Sequence, residues 1–186
     1  MAETDEALML AFKAGNKRAF DELFRRHERR VLTYMVRAVG NRAIGQEKSQ
    51  DVWLKVIRAS PGYEVRAKFT TWLYAIANNL LTDFYKSKGD DRQEGVEIDD
   101  ESLAGGLVTP AWCEVPHLVM VGKASDRLRY CLRKLPFEQR QAFLMCEELG
   151  MTVPEAAELL AASLEGVKSR LRYARDKLKA CIGDVL

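Results

Sequence analysis

Apolar residues recur at three- and four-residue spacing along almost the whole of this 186-residue chain, and nowhere do they alternate in twos. That period puts successive apolar side chains on one face of a helix and never on one face of a strand. The fold expected is therefore all-α. Thr4 caps a first helix with Asp5 and Glu6 in its first turn, and Gly15 ends it. Asn16 starts a second helix whose stripe is Phe20, Leu23, Phe24, Val31, Tyr34, Met35 and Ala38, closed by Gly40. A third carries Val52, Trp53, Val56 and Ile57 and stops at Ser60-Pro61-Gly62. The fourth starts near Thr70, carries Trp72, Leu73, Ile76, Leu80 and Phe84, and ends near Gly89.

The period fails once. Residues 89–116 contain Gly105-Gly106, Pro110, Pro116 and, between Asp90 and Glu101, seven acids against Arg92 alone, a local charge of −6. Such a stretch reads as a flexible acidic linker between two small helical domains, 1–88 and 117–186. In the second, Leu118, Val121, Leu128, Leu132 and Leu135 form one stripe, and Pro136 opens a helix that stops at Gly150. No run of about 18 apolar residues occurs, so no membrane insertion is expected. The acidic N-terminus lacks a secretory pattern, which points to a cytoplasmic location. Cys113, Cys131, Cys146 and Cys181 lie far apart with no C-x-x-C pair, and buried, reduced thiols are expected rather than a metal site.

The net charge of +2 conceals segregation. From Leu164 to Cys181, Lys168, Arg170, Arg172, Arg175, Lys177 and Lys179 face only Glu165 and Asp176, a balance of +4. Upstream, Thr152-Val153-Pro154-Glu155 is a T-x-x-E capping box with proline in the first turn. The helix it opens runs to about Ala161, and Ser163 caps the next after a tight turn. Two helices joined so closely make a helix-turn-helix. In the second of them Val167, Leu171, Ala174 and Leu178 face inward, while Lys168, Arg172, Arg175 and Lys179 repeat the spacing one position on. Ser169 and Arg170 stand near the end that a recognition helix inserts into the major groove. A solvated helix whose long side chains cover its own core edge would share the cations, but not the capped partner helix and turn. DNA is the partner expected.

The N-terminal half has its own basic excess, +5 between Lys13 and Arg37, and "KFTTWLYAIANNLLTDFYKSK" interleaves aromatics with lysines, as suits unstacked bases. Packing accounts for much of the same pattern, Trp72 and Phe84 included. In order, "AFKAGNKRAFDELFRRHERRV", "SQDVWLKV", "FTTWLYAIANN", "LPFEQRQAFLMCEELGMTVPEAAELL" and "SLEGVKSRLRYARDKL" closely resemble the extracytoplasmic-function sigma factors. The likeness covers about 150 residues around a divergent linker.

That resemblance implies an alternative sigma factor, with no chemistry or cofactor of its own. On matching positions it implies that Glu47, Gln50 and Asp51 face the β′ clamp helices of core RNA polymerase. Tyr63, Arg66, Lys68, Trp72 and Asn79 would serve the promoter −10 element, with residues 63–68 and Asn79 forming a pocket for a flipped base. Ser163, Lys168, Ser169, Arg170, Arg172 and Arg175 would serve the −35 element, and the C-terminal domain would also meet the β flap. The resemblance further implies an anti-sigma partner, and a linker whose acids stand in for RNA within the polymerase. A solubilising spacer has the same composition. Three departures stand out: Lys48 replaces a usual apolar residue, Glu165-Gly166 replaces a usual Gly-Thr pair, and Arg172-Tyr173 inverts the usual order. A helix-turn-helix regulator that binds operators without polymerase, or a helical adaptor for acidic proteins, would share parts of the pattern.

Overall fold

The computed structural model describes residues 3–87 and 127–183. The acidic stretch, Leu118, Val121 and Cys113 lie outside the described residues. Among those described, every regular element is helical: α1 (Asp5–Lys13), α2 (Lys17–Val39), α3 (Arg42–Ala59) and α4 (Phe69–Ser87), then α5 (127–133), α6 (Phe137–Phe143), α7 (Val153–Leu159) and α8 (Leu164–Gly183). A 3₁₀ turn, Ser60–Gly62, follows α3, and Leu144–Glu148 continues α6 as one π-helical turn.

Local chemistry sets most of these ends. The Thr4 hydroxyl accepts from the Ala7 N–H at 3.2 Å, and Asn16 accepts from Arg18 N–H at 3.1 Å. Asn41 caps α3 through the Ile44 N–H at 3.0 Å. Gly40 ends α2 at φ +78°, where a Cβ would cost energy. The α4 terminus is capped from a distance: the Phe69 N–H donates to Glu6 Oε1 of α1 at 2.7 Å. A free N–H at a buried helix start is thereby satisfied across 63 residues of sequence. His27 is likewise buried, with Nε2 2.7 Å from Asp5 Oδ2.

Helices α1 to α4 enclose Met9, Leu23, Val31, Met35, Val52, Val56, Phe69 and Leu73. The α2–α3 crossing is tight because Gly45 has no side chain. A Cβ there would lie 2.6 Å from the Val36 Cα and 2.8 Å from its nitrogen, backbone atoms that cannot turn aside. Gly45→Ala should therefore force the two helices apart and destabilise the fold by about 2 kcal/mol, in the range for overpacked cores. Urea unfolding measures it, and a gain from the better helix propensity of alanine would contradict the steric account.

The α4 stripe is rotated from the one expected. Of the expected residues Leu73 is buried, together with Phe69, Tyr74, Ala77, Asn78 and Leu81, whereas Trp72, Ile76, Leu80 and Phe84 are half-buried. Side-chain size suggests the second set. The first wins because α4 packs on α2 and α3 along one side and on α7 along another, and because Asn78 finds polar partners inside.

The C-terminal half closes on Leu132, Leu135, Leu144, Met145, Ala156, Val167, Leu171, Ala174 and Leu178. The inward face of α8 is the one expected. The thiol expectation is overturned for two residues: Cys131 and Cys181 form a disulfide, their Cα atoms 5.9 Å apart. The α8 stripe runs one step further than Leu178, to Cys181, and α5 lies across that end with Cys131 turned inward. The Arg127 guanidinium fastens the same corner, donating to the Cys181 carbonyl at 2.9 and 3.2 Å. Cys146 is a free thiol, half-buried, and burial raises its pKa.

Candidate nucleic-acid interface

Thr152 and Glu155 make the reciprocal capping box of α7, with Glu155 Oε2 2.8 Å from both the Thr152 N–H and hydroxyl. Those two bonds hold the Glu155 carboxyl below its usual pKa. The turn that follows passes through Ala161 at φ +47°, and Ser163 then accepts the Gly166 N–H at 3.0 Å. The sequence thus builds two helices at a fixed angle, and α8 buries one face against α6 and α7.

The cations of α8 are not equivalent. Arg170 is half-buried and pairs with Glu138 of α6 at 2.7 Å. Arg175 reaches back to Glu147, its Nε 3.1 Å from Oε1, and this pairing raises the guanidinium pKa further. Lys168 meets Glu165 one turn earlier at 2.7 Å. Arg172 is exposed and lies over the Tyr173 ring, 5.1 Å from its centroid. Ser163 is exposed as a cap and Ser169 is half-buried. Arg170 and Arg175 thus brace α8 against its own domain, whereas Arg172 faces outward over the Tyr173 ring. Leu164 and Tyr173, 48% and 50% exposed, are large apolar surfaces on the same helix that charge counting passes over. An apolar side chain at a groove can meet a thymine methyl.

In the N-terminal half, α4 presents two adjacent amides in opposite senses. Asn78 is buried, donating to the Leu159 carbonyl at 3.0 Å and accepting from Gln141 at 2.6 Å. Asn79, one position and about 100° further round the helix, is exposed. Arg66 is exposed and forks onto Glu64 Oε2 at 2.7 and 3.0 Å, holding the Glu64 carboxyl below its usual pKa. Lys68 is exposed and close enough to Glu155 to help depress that carboxyl. Trp72 is half-buried, edge-on to Tyr63 at 4.9 Å. Tyr63 itself is 2% exposed, so its ring forms the wall behind Trp72 rather than a surface open to a base. Burial of the phenol raises its pKa.

On α3, Glu47 and Gln50 are exposed and Asp51 is at the edge of the surface. Lys48 folds between the two carboxylates, 2.8 Å from Glu47 Oε1 and 2.9 Å from Asp51 Oδ2, and these bonds raise its pKa.

Residues 23–90 match the family model described as Sigma-70 region 2, and residues 125–178 match that described as Sigma-70, region 4. An ECF RNA polymerase sigma factor, SigE of Mycolicibacterium smegmatis, is 29% identical over 87% of this chain and 60% of its own length. The chain belongs to the ECF sigma factors. The RNA polymerase sigma-H factor of Pseudomonas aeruginosa is 25% identical over 99% of this chain and 96% of its own. The ECF sigma factor SigK of Mycobacterium tuberculosis is 26% identical over 95% and 92%. The fold is shared with CnrH in complex with the cytosolic domain of CnrY (TM-score 0.66, 23% identity, 99% of this chain and 100% of that one). It is also shared with the sigma factor RpoE in complex with the anti-sigma factor NepR from Bartonella quintana (TM-score 0.67, 18% identity, 90% and 98%). Proteins of this family are transcription initiation factors. Among the described residues of this sigma factor, no helix is long and apolar enough to cross a membrane.

Proposed function

We propose that this sigma factor binds core RNA polymerase through the exposed face of α3, opens the −10 element with α4, and reads the −35 element with α8. The observation that carries the reading is one pairing of surfaces. An exposed amide, Asn79, stands on the region-2 helix, and an outward guanidinium, Arg172, stands on the region-4 helix. An amide suits an unpaired base edge, and a guanidinium suits guanine or phosphate in a duplex groove. An anti-sigma factor that covers these faces is the regulator proposed, and the cytoplasm the compartment. Residues 1–88 and 117–186 are the two functional units proposed, with 89–116 between them. Run-off transcription with purified core polymerase on genomic fragments tests it. Promoter-dependent transcripts are expected; tight operator binding without polymerase, and no transcript, would favour a stand-alone regulator.

Lys48 gives this reading a measurable consequence. Its ammonium neutralises the two carboxylates assigned to the polymerase contact, and a cationic partner has to compete with it. Lys48→Met should raise affinity for core polymerase two- to fivefold, the scale of an exposed ion pair. The gain should shrink as salt is raised. Weaker binding by the variant in a pull-down titration would mean that Lys48 itself meets an acidic partner.

A further inference from the structure

We infer that Tyr173 is a positioning residue: its ring draws the Arg172 guanidinium out of the phosphate-facing stripe of α8 and aims it at a guanine of the −35 element. The aim at a guanine rests on the function proposed above; the capture of the guanidinium by the ring does not.

The placement follows from the turn of the helix. Val167, Leu171, Ala174 and Leu178 are buried and fix which side of α8 faces its own domain. At about 100° per residue, Ser169 and Asp176 fall on the line opposite that side. Arg172 and Tyr173 stand between those two along the axis, about 50° to either side of the line, in the middle of the outward surface. Lys168 and Lys179, both exposed, lie on the Arg172 side and closer to the buried face. A helix seated in a groove has a phosphate strand along that flank. By its position alone the Arg172 side chain belongs to the same stripe of cations.

The ring takes it out of that stripe. Neighbouring residues of a helix point in different directions, yet Arg172 Cζ lies over the Tyr173 ring, 5.1 Å from its centroid. To make that contact the guanidinium leans across the outward line. Lys168, Arg170 and Arg175 rest instead on Glu165, Glu138 and Glu147, carboxylates that neutralise them. A ring attracts a guanidinium without cancelling its charge, and it covers the flat face while the N–H groups at the rim stay free. That planar fork of donors matches the O6 and N7 acceptors of guanine in the major groove. A guanidinium already held also loses less freedom on binding than one on a free stem. Tyr173 is 50% exposed, so packing does not account for an aromatic side chain there. In the family's usual order arginine takes the second of these two positions; here the ring takes it and brings the guanidinium back toward it.

Two measurements on the full chain test this. Magnetic resonance of the free protein with labelled arginine reads the capture, Arg172→Ala assigning the signals. Ring current should move the Arg172 side-chain protons upfield in the wild type and in Tyr173→Phe, and Tyr173→Leu should abolish the shift. Run-off transcription with core polymerase, from a library randomised at the −35 element, reads the aim. Arg172→Ala should lower the preference for guanine at one position about five- to a hundredfold. Tyr173→Leu should lower it about three- to tenfold at the same position, with −10 preference unchanged. The released guanidinium then returns to a phosphate, so the salt slope should steepen by about one. Tyr173→Phe should keep both preference and slope, and Arg172→Ala/Tyr173→Leu should be no worse than Arg172→Ala alone. Absence of the ring-current shift in the wild type would overturn the capture. A Tyr173→Leu variant that keeps the guanine preference, loses it at a different position, or leaves the slope unchanged would overturn the aim, as would a Tyr173→Phe variant that behaves like it. Transcription from no form at all would defeat the proposed function and the guanine with it, and the ring-current shift would leave the capture standing.

Discussion

Reduction of the Cys131–Cys181 bridge should lower the stability of the C-terminal half by about 4 kcal/mol at 25 °C. The bridged residues are 50 apart in sequence, and closing a loop of that length in the unfolded chain removes about that much free energy as lost entropy. Few local features replace it. The half begins, among described residues, with a short α5 tied to α8 by the bridge and by the Arg127 bonds to the Cys181 carbonyl. For a unit of this size the loss corresponds to a fall in melting temperature of more than about 15 °C. Thermal scans with and without a thiol reductant measure it. Cys131→Ala/Cys181→Ala should melt near the reduced protein and ignore reductant. A shift of a degree or two on reduction would mean that the unfolded chain is already restrained, or that the helices hold the corner unaided.

The bridge also shows where sequence reasoning stops. Helix ends were legible because their chemistry is local: Thr4, Asn16 and the Thr152–Glu155 box each satisfy N–H groups within four residues. The α8 face was legible because its other side is charged, so the two periods separate cleanly. On α4 they do not separate. Nearly every position is apolar, aromatic or amide, and which of two neighbouring asparagines is buried depends on Gln141 and the Leu159 carbonyl, residues 63 and 81 places away. The cap that Glu6 provides to Phe69 is distant in the same sense. The resemblance places Tyr63 in the base pocket, and the long-range contacts that bury its ring could not be read from the sequence. Here it is enclosed by Phe69 and Trp72. Family resemblance carried Asn79 to its position, whereas spacing alone could not distinguish it from Asn78.

Substitution of Asn79 and of Arg172 should separate the two proposed reading surfaces. Asn79 is exposed on α4 while its neighbour is committed inside, so Asn79→Ala removes an amide without opening a cavity. If that amide reads one unpaired base, discrimination at a single −10 position should fall by about 1–3 kcal/mol, roughly five- to a hundredfold in preference. Asn78→Ala, by contrast, leaves Gln141 and the Leu159 carbonyl without a partner, and should lower stability rather than preference. Arg172→Ala should act on the −35 region alone. A phosphate contact would show as uniform weakening across sequences, with the salt slope reduced by about one. A base contact would relax one −35 position and leave the slope nearly unchanged. Arg170→Ala and Arg175→Ala should differ from it, because their guanidinium groups already brace α8 against Glu138 and Glu147. Transcription from promoter libraries randomised separately at each element resolves all of these. An Asn79 variant with altered −35 preference and intact −10 preference would sink the assignment of the two halves to their elements.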